Sequence, residues 1–301
     1  MRFLWIACVA GLASAAAAQS SPDSLIALER RLSYRQGIIP IGDGIATLNV
    51  PPTFRYLSPA QTEEVIVAWG NPPGSTTLGM LVPANLSPLT AEGWGVVITY
   101  DEDGYVKDDD AATIDYDKML VEMQKSSRAE NKDRVKAGYP PVELVGWAEQ
   151  PHYDQENHKL FWARELAFGT EANHTLNYGI RVLGRRGVLV LNAVAGMNQL
   201  DQVRRDMTKV REFAEFNTGH RYTDFSPGSD KVAEYGIAAL VAGGIAAKAG
   251  LFKGLIALIL AAKKLLVVAV VGVGAWLRKI FGGKKAAVTP APATPSPPAR
   301  R

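Results

Sequence analysis

Cysteine occurs once in the 301 residues, at Cys8, and nowhere after it. A disulfide framework and thiol chemistry are therefore excluded for everything beyond the first few residues, so stability must come from an ordinary packed core. Short catalytic motifs are missing as well: there is no G-x-S-x-G elbow, no P-loop and no H-E-x-x-H. Basic residues are few where a nucleic-acid binder would concentrate them. Residues 19–229 hold 21 Lys and Arg against 28 Asp and Glu, a net charge of −7. Phosphate contacts need clustered cations, so this part has no nucleic-acid partner. Charge of either sign is nearly absent from Tyr235 to Leu277, where Lys248, Lys253, Lys263 and Lys264 are the only ionised side chains.

That last absence points to a membrane. A soluble domain does not carry so long a run without polar alternation, and small residues recur at helix-packing spacing in Ala239-xxx-Gly243-xxx-Ala247. One span is expected from about Tyr235 to Phe252 and another from Leu265 to Phe281, with Lys263–Lys264 as the turn. A lysine at the centre of a span costs about 3 kcal/mol unless it reaches the interface. The basic residues after the block, from Arg278 to Arg301, favour the cytoplasm and an odd number of crossings. The lysine pair favours a hairpin, so one span and two both stand. At the other end, Arg2, an apolar run from Phe3 to about Leu12, and Ala16 and Ala18 before Gln19 have the order of a secretory signal peptide. Cys8 lies too early in that run to be a lipid acceptor.

The resulting organisation is a signal peptide over 1–18, an extracytoplasmic α+β domain over 19–229, a membrane anchor of one or two helices over 230–285, and a disordered Pro/Ala-rich tail over 286–301. The location it implies is the bacterial inner membrane, with the main domain in the periplasm. Within that domain "SPDSLIALERR" and "SPAQTEEVIVAWG" read as helices, with Ser58 as N-cap, Pro59 at N1 and Gly70 as terminator. The segment "DYDKMLVEMQKSSRAENKDRVKAGYP" reads as a helix with an apolar stripe of Leu120, Met123 and Val135. A final helix is expected from about Met197 to Phe216. Strand-like runs are "GIATLNVPPTFRYLS", "LGMLVPAN", "GWGVVITY", "VELVGWAEQPHYD", "HKLFWARELAFG", "HTLNYGIRVLG" and "GVLVLNAVA". The last two are joined by the tight turn "GRRG" at 184–187. A mostly antiparallel sheet with helices packed on one face is the expected fold.

The stretch from Asp101 to Asp117 carries eight carboxylates interrupted by Lys107 alone. Read as an EF-hand with Gly104 at position 6, it puts Thr99 at position 1 and Asp110 where a bidentate Glu belongs, and a strand precedes it. Turn chemistry explains more: "DEDG" suits a left-handed turn, Asp115 an N-cap and Asp117 the first turn of the following helix. His152 and His158 bracket "YDQEN" and form, with Asp154 or Glu165, the one set that could serve as metal ligands or acid and base. Spacing alone does not bring them together, and no catalytic, cofactor or metal residue is assigned. Arg185 and Arg186 fit an exposed turn, and Trp69, Trp94, Trp147 and Trp162 the core or its rim.

Four long phrases, "GYVKDDDAATIDYDKML", "GYPPVELVGWAEQPHYDQENHKLFWARE", "LNYGIRVLGRRGVLVLNAVA" and "RYTDFSPGSDKVAEYGIAALVAGGIAAKAGL", resemble the bacterial domain-of-unknown-function family 2167, described as uncharacterised membrane-anchored proteins. The resemblance spans roughly residues 25–280. It implies export and anchoring and supplies no reaction, ligand or catalytic residue. Three functions follow as expectations. The first is a non-enzymatic accessory module that binds an envelope protein partner. The second is a metal-dependent or hydrolytic enzyme built on the His152–His158 hairpin. The third is a subunit of a membrane complex acting through its C-terminal helices.

Overall fold

The computed structural model describes residues 22–243, apart from Pro72 and Ala137. The expected signal peptide and cleavage site, the Pro/Ala-rich tail and the anchor beyond Gly243 lie outside the described residues. Among the described residues no helix is long and apolar enough to cross a membrane.

The described residues open with α1 (Pro22–Arg31), then β1 (Gly37–Ile41), β2 (Ala46–Val50), β3 (Phe54–Leu57), α2 (Pro59–Ala68), β4 (Gly79–Pro83) and β5 (Gly95–Asp101). The short β6 (Tyr105–Lys107) and the long α3 (Tyr116–Lys136) follow. Four strands come next: β7 (Val142–Asp154), β8 (Lys159–Phe168), β9 (Thr175–Leu183) and β10 (Val188–Gly196). The described chain ends with α4 (Leu200–Phe213), β11 (Ala214–Phe216), β12 (Val232–Gly236) and α5 (Ile237–Ala242). One sheet of seven strands, in the order β3-β4-β5-β10-β9-β8-β7, is antiparallel throughout. A smaller sheet has the order β1-β2-β11, and β12 pairs β6 in parallel. The protein is α+β and mostly antiparallel, as the strand-like runs implied.

Alternation along each strand decides which face a side chain serves. On the first face Ile98, Tyr178, Ile180, Leu189 and Leu191 meet Leu48, Val203, Met207 and Phe216 from the small sheet and α4. Leu176, Tyr178, Ile180 and Val182, whose alternation is visible in the sequence, all lie in this core. The opposite face is covered in two parts. Over β3, β4 and β5, Val65 and Ile66 of α2 pack on Leu57, Met80 and Val97. Over β8, β9 and β10, Leu160, Trp162, Leu183 and Val188 pack under Ala233, Ile237, Leu240 and Val241. Elements therefore cover both faces of the sheet. The helices were expected on one face, and the small sheet and the chain end that add the second layer have too weak a local signal to predict it.

Two expected boundaries move. The final helix stops at Phe213, and Ala214–Phe216 run as β11 against β2. The sequence from Val232 to Val241, expected to open the anchor, belongs to the body instead. Its strand pairs β6, and Ile237 and Val241 are fully buried. The apolar stripe of α3 is also incomplete: Leu120 and Met123 are half-buried, but Val135 is 57 % exposed.

Candidate functional site

The acidic stretch does not gather its carboxylates in one place. Asp108 accepts a hydrogen bond from the Tyr153 hydroxyl at 2.7 Å. Asp110 turns the other way and accepts from the Ile237 and Ala238 backbone N–H groups at 2.9 and 3.0 Å, capping α5. Asp115 caps α3 through the Lys118 N–H at 2.9 Å, as expected, and Asp117 accepts from Gln150. Gly104 holds the turn with φ +112°, and a Cβ there would stand 2.8 Å from the Lys231 carbonyl. No group of three or more metal-ligating side chains occurs among the described residues.

Of the histidine set, the structure brings only one member toward the acidic stretch. His158 sits in the β7–β8 turn with φ +51°, a left-handed conformation that His tolerates better than most residues. Its Nδ1 lies 3.3 Å from the Tyr153 hydroxyl and 3.8 Å from Asp108 Oδ2, and its ring is 4.1 Å from that of Tyr222. Tyr105 stacks between Tyr222 and Phe225, at 4.3 and 3.9 Å. Burial, and then the bond to Asp108, raise the Tyr153 hydroxyl well above the phenol range, so it stays protonated and serves as a donor. This is a polar lock under aromatic cover, tying β6 to the β7–β8 hairpin.

The remaining members point elsewhere. His152 is exposed and packs on Phe161, 5.1 Å away. Asp154 binds Asn157 within its own turn, and Glu165 pairs with His174 at 2.5 Å. The constellation of His152, Asp154, His158 and Glu165 does not converge. Glu165 lies four residues along β8 from Phe161, the partner of His152, and four residues along a strand span about 13 Å. Arg185 and Arg186 do hold a carboxylate, but an internal one. Arg185 grips Asp230 through two bonds of 2.6 and 3.1 Å, and Asp230 is only 3 % exposed on its side chain.

The second face also carries two arginines that sequence reading passed over, Arg164 buried and Arg181 half-buried. Arg164 of β8 is 7 % exposed, with its guanidinium 5.3 Å from the Trp162 ring and 5.9 Å from Trp147. Arg181 of β9 lies over the same Trp162 ring at 4.8 Å. Arg164 donates to the Val241 carbonyl at the end of α5, while its Nε and the Trp162 Nε1 are buried without a partner. Burial, and then the charge of Arg181, push the Arg164 guanidinium down to about 9. Burial pushes Arg181 to about 10, with Asp101 and Tyr235 opposing. Strand parity held the signal: in "LFWARE" Arg164 shares the face of Leu160 and Trp162, so it had to enter the core.

Against known proteins, the family model described as "Protein of unknown function (DUF2167)" matches residues 33–274. The chain belongs to this family. The match lies within the span over which the four phrases resemble it. None of the curated proteins matches the chain. Among solved structures, cyanobacterial PsbP (CyanoP) from Synechocystis sp. PCC 6803 aligns at 6 % identity and a TM-score of 0.34, over 62 % of this chain and 92 % of that one. A point mutant of the protein Mog1 aligns at 11 % identity and a TM-score of 0.29, over 57 % of this chain and 84 % of that one. Likeness at that level carries no argument for fold or function.

Proposed function

We propose that this member of the family is an exported, membrane-tethered accessory module without catalytic activity, which binds an envelope protein partner in the periplasm. The observation that carries the reading is the construction of the segment 232–243. Residues 232–243 are built into the body by the β6–β12 pairing, the Asp110 cap and the Arg164 bond to Val241. The charge-poor sequence that follows Gly243 then begins directly at the folded body, with the basic residues from Arg278 onward behind it. In this reading the extracytoplasmic domain runs from 19 to about 243, and the anchor lies between there and 285. The dispersal of the histidine set supports a binding role over a hydrolytic one.

The test has two arms. In alkaline carbonate extraction, the full chain should stay with the membrane pellet, and a chain ending at residue 243 should be released. Crosslinking in intact cells followed by purification in mild detergent should then recover an envelope protein that is lost when the body is deleted. Release of the full chain by carbonate would overturn the tether. Recovery of the same partner by the C-terminal segment alone would move the function to that segment.

A further inference from the structure

We propose that the outward face of α3 is a docking surface for an anionic lipid bilayer, against which the helix lies along its length. At about 100° per residue, Lys118, Lys125, Lys132 and Lys136 fall within about 20° of one line along the helix. That line is turned away from Gln124, Ser127 and Asn131, which hold α3 to β7. All four lysines are exposed. Among the described residues Lys118, Lys125 and Lys132 have no ion-pair partner, and Lys136 has only Asp133 of its own helix, at 3.5 Å. Beside the line, on one flank, run Val121, Arg128 and Val135 at a constant spacing, with the two valines 60 % and 57 % exposed. Glu122 and Asp133 fall on the other flank.

The helix carries six bases and four acids, while acids outnumber bases across the body as a whole. A solvated face gains most from opposite charges three or four residues apart, whereas Lys132 and Lys136 set like charges at that distance. An anionic surface relieves that repulsion. The line of lysines is straight and about 27 Å long, so it meets a plane along its whole length. Lysine is a mobile point charge suited to a diffuse negative field, while a defined carboxylate partner is better gripped by the planar fork of arginine. The central line is lysine throughout. Val121 and Val135 suit shallow contact with the headgroup boundary, and two valines are too few to insert the helix. The place of α3 in the fold agrees. Tyr116 and Met119 of its first turn pack on the same core as Ile237, Leu240 and Val241, so the helix begins beside the segment from which the charge-poor sequence leaves. The inference rests on the tether proposed above, which brings this face to the bilayer.

Amine footprinting of the full chain in nanodiscs tests the surface. In phosphatidylcholine discs with about 30 % phosphatidylglycerol, an acetylating reagent should modify the four lysines at least about threefold more slowly than in discs of phosphatidylcholine alone, read by mass spectrometry. Exposed Lys209 of α4 should react equally in both, and about 0.5 M sodium chloride should abolish the protection. Lys125→Glu combined with Lys132→Glu should return Lys118 and Lys136 to the phosphatidylcholine rate. If that variant does not fold, Lys125→Gln with Lys132→Gln serves instead and should remove at least half of the protection. Equal rates in the two kinds of disc, or protection that survives these substitutions, overturns the surface. Lysines open on anionic discs but covered in permeabilised cells assign the face to an acidic protein and overturn the lipid reading. The tether is read separately. A chain that does not co-elute with phosphatidylcholine discs lacks it, and protection of the same lysines on phosphatidylglycerol discs would still uphold the α3 surface.

Discussion

Single residues have separate duties, and each can be tested alone. Gly104 combines a left-handed backbone with the close passage of Lys231 and Ala233, so an alanine there meets both strain and a clash. Gly104→Ala should lower stability by about 2 kcal/mol or more, read from the urea midpoint. Asp230 gives a pH signature. The bond from Arg185, and then the Ser226 N–H, hold its carboxyl below the ordinary range. A carboxyl whose pKa is depressed on folding adds stability above the unfolded value of about 3.9 and loses it as pH falls through the folded value. The stability gap between wild type and Arg185→Gln should therefore be constant from pH 7 to about 5 and narrow below about 4, measured as urea midpoints across that series. A gap that stays constant down to pH 2 would show that the pair makes no charge-dependent contribution.

Among elements, α3 departs furthest from its sequence pattern. It meets β7 through a row of polar side chains four and three residues apart. Gln124 donates to the Val145 carbonyl and Ser127 to that of Val142, while Asn131 both donates to Val142 and accepts from its N–H. The helix thus occupies the outer edge of the seven-stranded sheet with side-chain amides in place of a further strand, which closes a row of groups that would otherwise invite pairing. Asn131→Ala should cost about 1–3 kcal/mol and speed amide exchange at Val142, detected by NMR; Val121→Asp, at a position 60 % exposed, should change stability by less than about 0.5 kcal/mol. The same comparison explains what was readable. Strands β8 and β9 were legible because their apolar residues repeat with period two, and Asp115 because a cap is a local event. Strand β11 was not, because three residues after a helix carry no pattern of their own. The segment of β12 and α5 was misplaced because hydropathy is the same for a helix bound for lipid and one bound for a protein core. Arg164 was missed for want of a partner in sequence, although strand parity already put it on the face of Trp162.

The second core is finished by residues 232–243. Removal of 232–243 would uncover Val106, Leu160, Leu183 and Val188, and Ile237 and Val241 alone contribute about 1.5–3 kcal/mol each by burial. A chain ending at 231 should melt at least 10 °C below one ending at 243, or fail to fold; equal melting by circular dichroism would show that the second core is dispensable. The α5 segment also has a mechanical side. It is held by a carboxylate at its first N–H groups and a guanidinium at the Val241 carbonyl in its last turn, and the strand before it runs parallel to β6. A pull on the chain past Gly243 would load that short ladder and those two ionic clasps together, before it reached the main sheet. Gly243 itself is left-handed at φ +90° and ends the helix. The elements that hold α5 are thus distinct from the ladders of the main sheet.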